Sequence, residues 1–257
     1  MKTVTGPHFT GIIPARFAST RFPGKPLAII GGKPMIRMVY EQVSIALDSV
    51  YVATDDERIT EAVKKFGGKA VMTSATHRSG TDRCAEAADI IARETGIEPG
   101  IIVNIQGDEP FILPEQIRLI ASCFADSSVE IATLISGIKE TADIFNINET
   151  KVAVSLSGDA LYFSRSPIPF IRGEEQENWL ARHTFYKHIG VYAYRKKTLM
   201  ELTSLLPGPL ETAESLEQNR WLENGYRIRT AVTSWEGIGI DVPEDLERAN
   251  EYLKHFN

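Results

Sequence analysis

The segment PARFASTRFPGKP (14–26) brings Arg16, Arg21 and Lys25 together with Ser19, Thr20 and Gly24. Cationic heads, hydroxyls and a backbone able to approach closely at glycine are an inventory for holding a polyphosphate. A solvated surface loop can have the same composition, so position matters. The segment directly follows the apolar run FTGIIP (9–14), at the carboxyl end of an expected buried strand, where open α/β sheets place their ligands. Its spacing is not the GxxxxGK[ST] of a Walker loop. It also lacks GxGxxG, which removes the usual support for a dinucleotide-binding dehydrogenase.

Acids stand at equivalent places further on. Asp108 and Glu109 follow IIVNIQ (101–106), and Asp241 follows the short run GIGI (237–240). A triphosphate enters a protein with Mg²⁺, which is held by one or two carboxylates together with phosphate oxygens and water. Asp108 and Asp241 are the pair placed for that task, with Glu109 as a supporting acid. Both aspartates could equally cap helices, and Pro243, at an expected first helical turn, favours that role for Asp241. HRSGTDR (77–83) adds Arg78, Ser79, Gly80 and Arg83, although such polar stretches are also ordinary turns before helices.

In the second half, His188 and Tyr192 stand four apart in a strand-like run and so share one face. By itself His188 reads as readily as a hydrogen-bonded core histidine. Arg165 could offer two parallel hydrogen bonds to a carboxylate. Glu217 lies near Glu211 and Glu214 on an expected helix, where charge is usually solvated surface.

The elements that must carry these residues alternate between short apolar runs and amphipathic stretches, the pattern of an α/β fold with a largely parallel sheet. Strands are expected over 9–14, 49–54, 69–73, 101–106, 130–136, 188–195 and 227–232. Helices are expected over 34–46, 56–68, 82–96, 113–124, 211–225 and 243–256, several of them closed by glycine. KVAVSLSGDALYFSR (151–165) reads as an antiparallel hairpin turning at Ser-Gly-Asp. Residues 166–187 read as a long irregular loop, which in a compact domain is functional or mobile. No internal repeat or low-complexity tract marks a linker, so one domain is expected over 1–257. Within it, 9–136 forms a nucleotide-binding half.

Composition narrows the partners. With 43% hydrophobic residues the chain can bury a sizeable core, and 28 basic against 34 acidic side chains give a charge of −6, which disfavours nucleic acid unless cations gather in one pocket. Cys84 and Cys123 have no metal-ligand spacing and read as buried thiols, not a disulfide or zinc site. The apolar stretch before Arg16 is far shorter than a signal-peptide core, and no run reaches a membrane span of roughly 18 residues. A cytosolic enzyme, not inserted in a membrane, is the expectation; a cytosolic binding protein would share these features.

Ordered motifs then bring a family into view. IIPARFASTRFPGKPL (12–27), VATDD (52–56), HRSGTDR (77–83), VNIQGDEP (103–110), ALYFSRSPIP (160–169), HIGVYAYR (188–195), PLETAESLEQNR (209–220) and GIGIDVPEDLERA (237–249) closely resemble the CMP-Kdo synthetases, the 3-deoxy-manno-octulosonate cytidylyltransferases. The resemblance covers nearly the whole chain. It implies a nucleotide-diphospho-sugar transferase-like sheet with an inserted antiparallel hairpin lobe, 151–235 serving sugar binding and homodimerisation. It also implies transfer of CMP from CTP to the acidic sugar Kdo for lipopolysaccharide biosynthesis.

The same resemblance distributes roles. Arg16, Lys25 and Asp108 become catalytic, and Asp108 with Asp241 becomes the Mg²⁺ pair. Arg16, Arg21, Lys25, Arg78, Ser79, Gly80, Arg83 and Gln106 would bind the nucleotide. Gln106, Arg165, His188, Tyr192 and Glu217 would meet the sugar. The alternatives are a transferase for an amino-substituted Kdo or a sialic-acid-like sugar, and a nucleotide-binding regulator that has lost its chemistry. Joint presence of Lys25, Asp108 and Asp241 argues against the regulator.

Overall fold

A computed structural model describes residues 8–18, 21–235, 239–240 and 242–255. In chain order the strands and helices are β1 (Phe9–Ala15), β2 (Ile29–Ile30), β3 (Lys33–Pro34), α1 (Met35–Ala46), β4 (Ser49–Thr54), α2 (Glu57–Lys65), β5 (Ala70–Met72), α3 (Gly80–Thr95), β6 (Ile101–Asn104) and α4 (Pro114–Ser122). They continue with β7 (Ile131–Gly137), α5 (Thr141–Phe145), β8 (Lys151–Val154), β9 (Ala160–Ser164), α6 (Trp179–Arg182), β10 (Tyr186–Arg195), α7 (Lys196–Thr203), α8 (Pro209–Glu214), α9 (Glu217–Glu223), β11 (Ile228–Thr233) and α10 (Asp245–His255).

The chain divides into two compact units. The first takes the described residues up to Arg118, Tyr194–Thr203 and the C-terminal segment from Gly239. Its sheet has the order β6-β1-β4-β5, every pairing parallel. Ile12 and Ile13 of β1 and Ile101, Ile102 and Val103 of β6 are fully buried, as strands covered by helices on both faces must be. Met35, Ile36, Val39 and Val43 form the inward stripe of α1, spaced as helix geometry requires. A smaller cluster joins Ile30, Met35, Phe111, Ile240 and Ala249.

The second unit takes Leu119–Ala193 and the chain from Ser204 to the end of the described stretch at Trp235. Here β11 pairs in parallel with β7, while β8 pairs antiparallel with both β10 and β9. The expected hairpin at 151–165 is therefore present, with a register shift at Ala153/Val154. Most of the expected irregular segment 166–187 is without regular structure, but it contains α6 and the start of β10. It is pinned by Trp179, which is buried with Ile138, Ile144 and Phe185 and stacks on Phe185 at 5.9 Å.

Several expected elements are corrected. The helix expected over 211–225 is two helices, α8 and α9, broken at Ser215 with φ of 53°. The break lets Asn219 face inward and bond both backbone groups of Phe163 in β9. Pro243 lies in a turn before α10, which starts at Asp245, and Pro34 ends β3 just ahead of α1. Cys84 is buried as expected, whereas Cys123 is only half-buried. The small β2–β3 hairpin and the helices α5 and α7 were not expected.

Candidate active site

The path of the chain through the first sheet creates a switch point. From β1 it moves to β4 and β5 on one side, then returns to β6 on the other, and open α/β sheets bind ligands at the carboxyl ends of strands flanking such a reversal. A cavity of about 300 Å³ lies there. Its lining includes Arg16, Arg21 and Lys25 from the loop after β1, Arg78, Ser79, Gly80 and Arg83 from the entry to α3, and Gln106 and Asp108 after β6. Every expected nucleotide-binding residue is thus gathered in one place.

Local backbone geometry explains how the first loop presents its cations. The Gly24 N–H donates to Phe17 O at 2.9 Å, closing the loop on itself. Gly24 has φ of +73°, and a Cβ there would meet the Phe17 ring at 3.0 Å, so glycine suits this turn on both counts. A short 3₁₀ turn over Lys25–Leu27 follows. From it the Lys25 ammonium reaches Asp108 Oδ2 at 2.5 Å and Ile240 O at 2.8 Å. Ile240 N–H in turn donates to Asp108 O at 3.1 Å, so the end of the GIGI run lies beside Asp108. Arg16, Arg21 and Arg78 are exposed on the cavity wall.

On the opposite wall, Ser79 caps α3 by accepting the Asp82 N–H at 3.1 Å. The first N–H groups of a helix and its dipole make this end attractive to anions. Arg83 differs from the other basic residues. It is buried, and its guanidinium donates to Thr73 Oγ1 at 2.6 Å and Asp55 Oδ2 at 3.0 Å, which ties α3 to the ends of β4 and β5. At Gly107 a Cβ would come to 3.0 Å from Pro14 O, so glycine lets the segments after β1 and β6 approach this closely without displacing either.

The sequence reading passed over His77. It lines the cavity and bonds Glu86 through Nε2 at 2.5 Å. Its place inside HRSGTDR was the available signal. Asp241, Ser19 and Thr20 lie outside the described residues.

The remaining candidates belong to the second unit. His188 and Tyr192 share a face of β10, with ring centroids 5.1 Å apart; Phe163 packs on His188 and Trp221 on Tyr192. His188 Nε2 is 2.9 Å from Thr133 Oγ1, whose proton goes to Val191 O at 2.8 Å. Thr133 therefore accepts from the neutral imidazole. The residue keeps some exposure, but enclosure of its ring pushes its pKa down to about 3. For Tyr192, burial and then the charge of Glu217 push the phenol up.

Arg165 is held by Glu214 O at 2.9 Å from Nε and by Ile147 O at 3.1 Å from Nη1. Burial raises the Glu214 carboxyl, but hydrogen bonds from Ser164, the Arg165 N–H and Tyr162 outweigh it and hold the group low. Glu217 opens α9.

A parallel sheet carrying a cationic cavity at its switch point, with an acid beside a lysine, defines a nucleotide-binding protein of the nucleotidyltransferase type. The cytidylyltransferase family model matches residues 10–228. The chain is 59% identical to the 3-deoxy-manno-octulosonate cytidylyltransferase of Parabacteroides distasonis over 95% of its own length and 98% of that protein's. It is 56% identical to the protein of the same name from Bacteroides thetaiotaomicron, over 96% and 98%. A solved structure of CMP:2-keto-3-deoxy-manno-octonic acid synthetase complexed with CTP superposes with a TM-score of 0.89 at 40% identity, covering 97% of this chain and all of that one. The chain belongs to the cytidylyltransferase family and, within it, to the 3-deoxy-manno-octulosonate cytidylyltransferases. A Bacillus anthracis structure described as a glucose-1-phosphate thymidylyltransferase, at 19% identity and a TM-score of 0.63, shares the fold.

Proposed function

We propose that this chain joins CMP from CTP to the anomeric hydroxyl of Kdo, releasing pyrophosphate. The observation that carries this reading is the convergence of Arg16, Arg21, Lys25, Arg78 and the start of α3 around Asp108 at the switch point of the first sheet. The sugar oxygen forms a bond to the α-phosphorus, the bond from that phosphorus to the bridging oxygen breaks, and the hydroxyl proton leaves. Little covalent work falls to side chains in such a transfer; positioning and charge stabilisation dominate. Lys25 and Arg16 stabilise negative charge gathering on the departing pyrophosphate.

Mg²⁺ fits the donors present. Asp108 offers a half-buried carboxylate on a wall otherwise rich in cations, and one or two carboxylates suffice when phosphate oxygens and water complete the shell. Asp108 and Asp241 would hold the ion, which when bound offsets phosphate charge. Gln106, Arg165, His188, Tyr192 and Glu217 are assigned to the sugar acid on family resemblance, and the homodimer rests on it too; the cytosolic setting rests on the composition of the sequence. No helix among the described residues is long and apolar enough to cross a membrane.

Pyrophosphate release with each nucleoside triphosphate against Kdo, amino-Kdo and sialic acid tests the reading. CTP with Kdo should be the best pair, and no release from it at any Mg²⁺ concentration overturns the proposal. Asp108→Asn should lower turnover by about 10²-fold or more. Near-normal turnover of that variant at saturating Mg²⁺ would sink the metal assignment.

A further inference from the structure

One pair of side chains beside the cavity belongs neither to the cationic loop after β1 nor to the acids after β6. His77 lines the cavity, and its Nε2 lies 2.5 Å from Oε2 of Glu86 on the second turn of α3. The same oxygen accepts the Ser74 N–H at 2.7 Å. Ser74 Oγ accepts the Thr76 N–H at 3.2 Å and pairs with the Thr76 hydroxyl at 2.8 Å. A single carboxylate oxygen therefore fastens both the start of the loop after β5 and its cavity-lining ring to α3. Arg78, exposed on the cavity wall, stands between His77 and the capping Ser79.

The chemistry of the pair fixes more than a distance. Burial raises the Glu86 carboxyl, but the hydrogen bonds from His77 and the Ser74 N–H outweigh it and leave the group below its ordinary value. An ionised carboxylate only accepts, so the ring proton shared with Glu86 sits on His77 Nε2.

We propose that Glu86 is a positioning residue for the nucleotide: it sets the orientation of His77 and the path of residues 74–78, giving the cavity a pre-formed wall. The inference rests on the cytidylyltransferase reading and extends it to a residue that does not itself line the cavity. A pre-set wall costs less ordering on binding than a mobile one, so the effect belongs in nucleotide affinity and not in the chemical step.

The test is CTP affinity by calorimetry together with steady-state kinetics for Glu86→Ala, Glu86→Gln and His77→Ala. Glu86→Ala should weaken CTP binding and raise its KM roughly tenfold, with kcat and the KM for Kdo little changed. Glu86→Gln should stay within about threefold of wild type, because its amide oxygen can accept both N–H groups. His77→Ala should match Glu86→Ala, and the double variant should be no worse than either, since coupled residues are not additive.

Unaltered CTP affinity in Glu86→Ala or His77→Ala overturns the proposal. So does a failure of Gln to rescue, or a parallel rise in both KM values, since these mark a merely structural contact. If Glu86→Ala does not fold, His77→Ala and Glu86→Gln decide alone. A wild-type protein that does not bind CTP would overturn the cytidylyltransferase reading instead, so the two failures are distinguishable.

Discussion

At the carboxyl end of β1 and the start of α3, Arg16, Arg21 and Arg78 stand exposed on a cavity wall. In β10, by contrast, His188 and Tyr192 are closed in by Phe163, Trp221 and Thr133. Each arrangement follows from its charge. Phosphate-binding guanidinium groups gain little from burial before a ligand arrives, because a desolvated and unpaired cation is costly. A neutral imidazole with an acceptor can be buried cheaply. The first region presents its charge to the cavity, and the second packs its polar rings among protein groups.

The sharpest way to break this contrast is to remove the cation of the first region that is paired with Asp108. Lys25 binds Asp108 and Ile240 O, and its side chain retains only 15% exposure. If its main task is charge on the transferring phosphates, Lys25→Ala should lower kcat by about 10²–10³-fold. The thermal midpoint should move little, because Asp108 keeps access to water and partly exposed ion pairs contribute little stability. Pyrophosphate release alongside a melting scan checks both halves. A large loss of stability with modest loss of turnover would make Lys25 a structural pin, like Arg83.

For the second region the contrast is sharpened by pH. The His188 pKa is depressed to about 3 in the folded protein against an ordinary 6.5, so between those values the unfolded chain binds more protons. Stability from this group is therefore fully present above about pH 6.5 and is lost as pH falls through the window towards 3. At pH 5 the loss is at most about 2 kcal/mol. Urea unfolding from pH 7 to pH 5 should show a shallower decline in His188→Gln than in wild type. Equal slopes would mean that the imidazole is solvated after all.

The two regions also differed in how far the sequence disclosed them. The cavity was legible because its parts sit directly after strands, where chain direction alone sends Arg16, Lys25, Gln106 and Asp108 to one sheet edge. What stayed hidden there depends on side-chain direction: Arg83 turns towards Asp55 and Thr73, and His77 meets Glu86 nine residues on. Neither follows from residue type. In the second region the break at Ser215 had no glycine or proline to announce it. It is imposed by tertiary fit, as Leu216, Asn219 and Trp221 turn inward, a case of packing overriding helix propensity. His188 was left between core and ligand, because spacing fixes which face it shares with Tyr192 but not what covers that face.

The smallest expected effect concerns what shapes the first loop from behind. The Arg58 guanidinium lies over the Phe17 ring, 3.3 Å from its centroid, and forks onto Asp56 through Nε at 2.9 Å and Nη2 at 2.7 Å. Asp56 also caps α2 by accepting the Arg58 N–H. The Phe17 ring packs against Gly24, the residue that turns the chain towards Lys25. Arg58 thus braces the loop through its aromatic residue without lining the cavity. Exposed cation–π contacts are weak, so Arg58→Ala should raise the KM for CTP by no more than about threefold and leave kcat unchanged. Arg58→Lys should recover only part of this, because a lysine cannot reproduce the planar fork onto Asp56. Steady-state kinetics with varied CTP decide it. An unchanged KM in the alanine variant would show that the Phe17–Gly24 contact alone sets the loop, which would make the phosphate region as self-sufficient in its backbone as β10 is in its side chains.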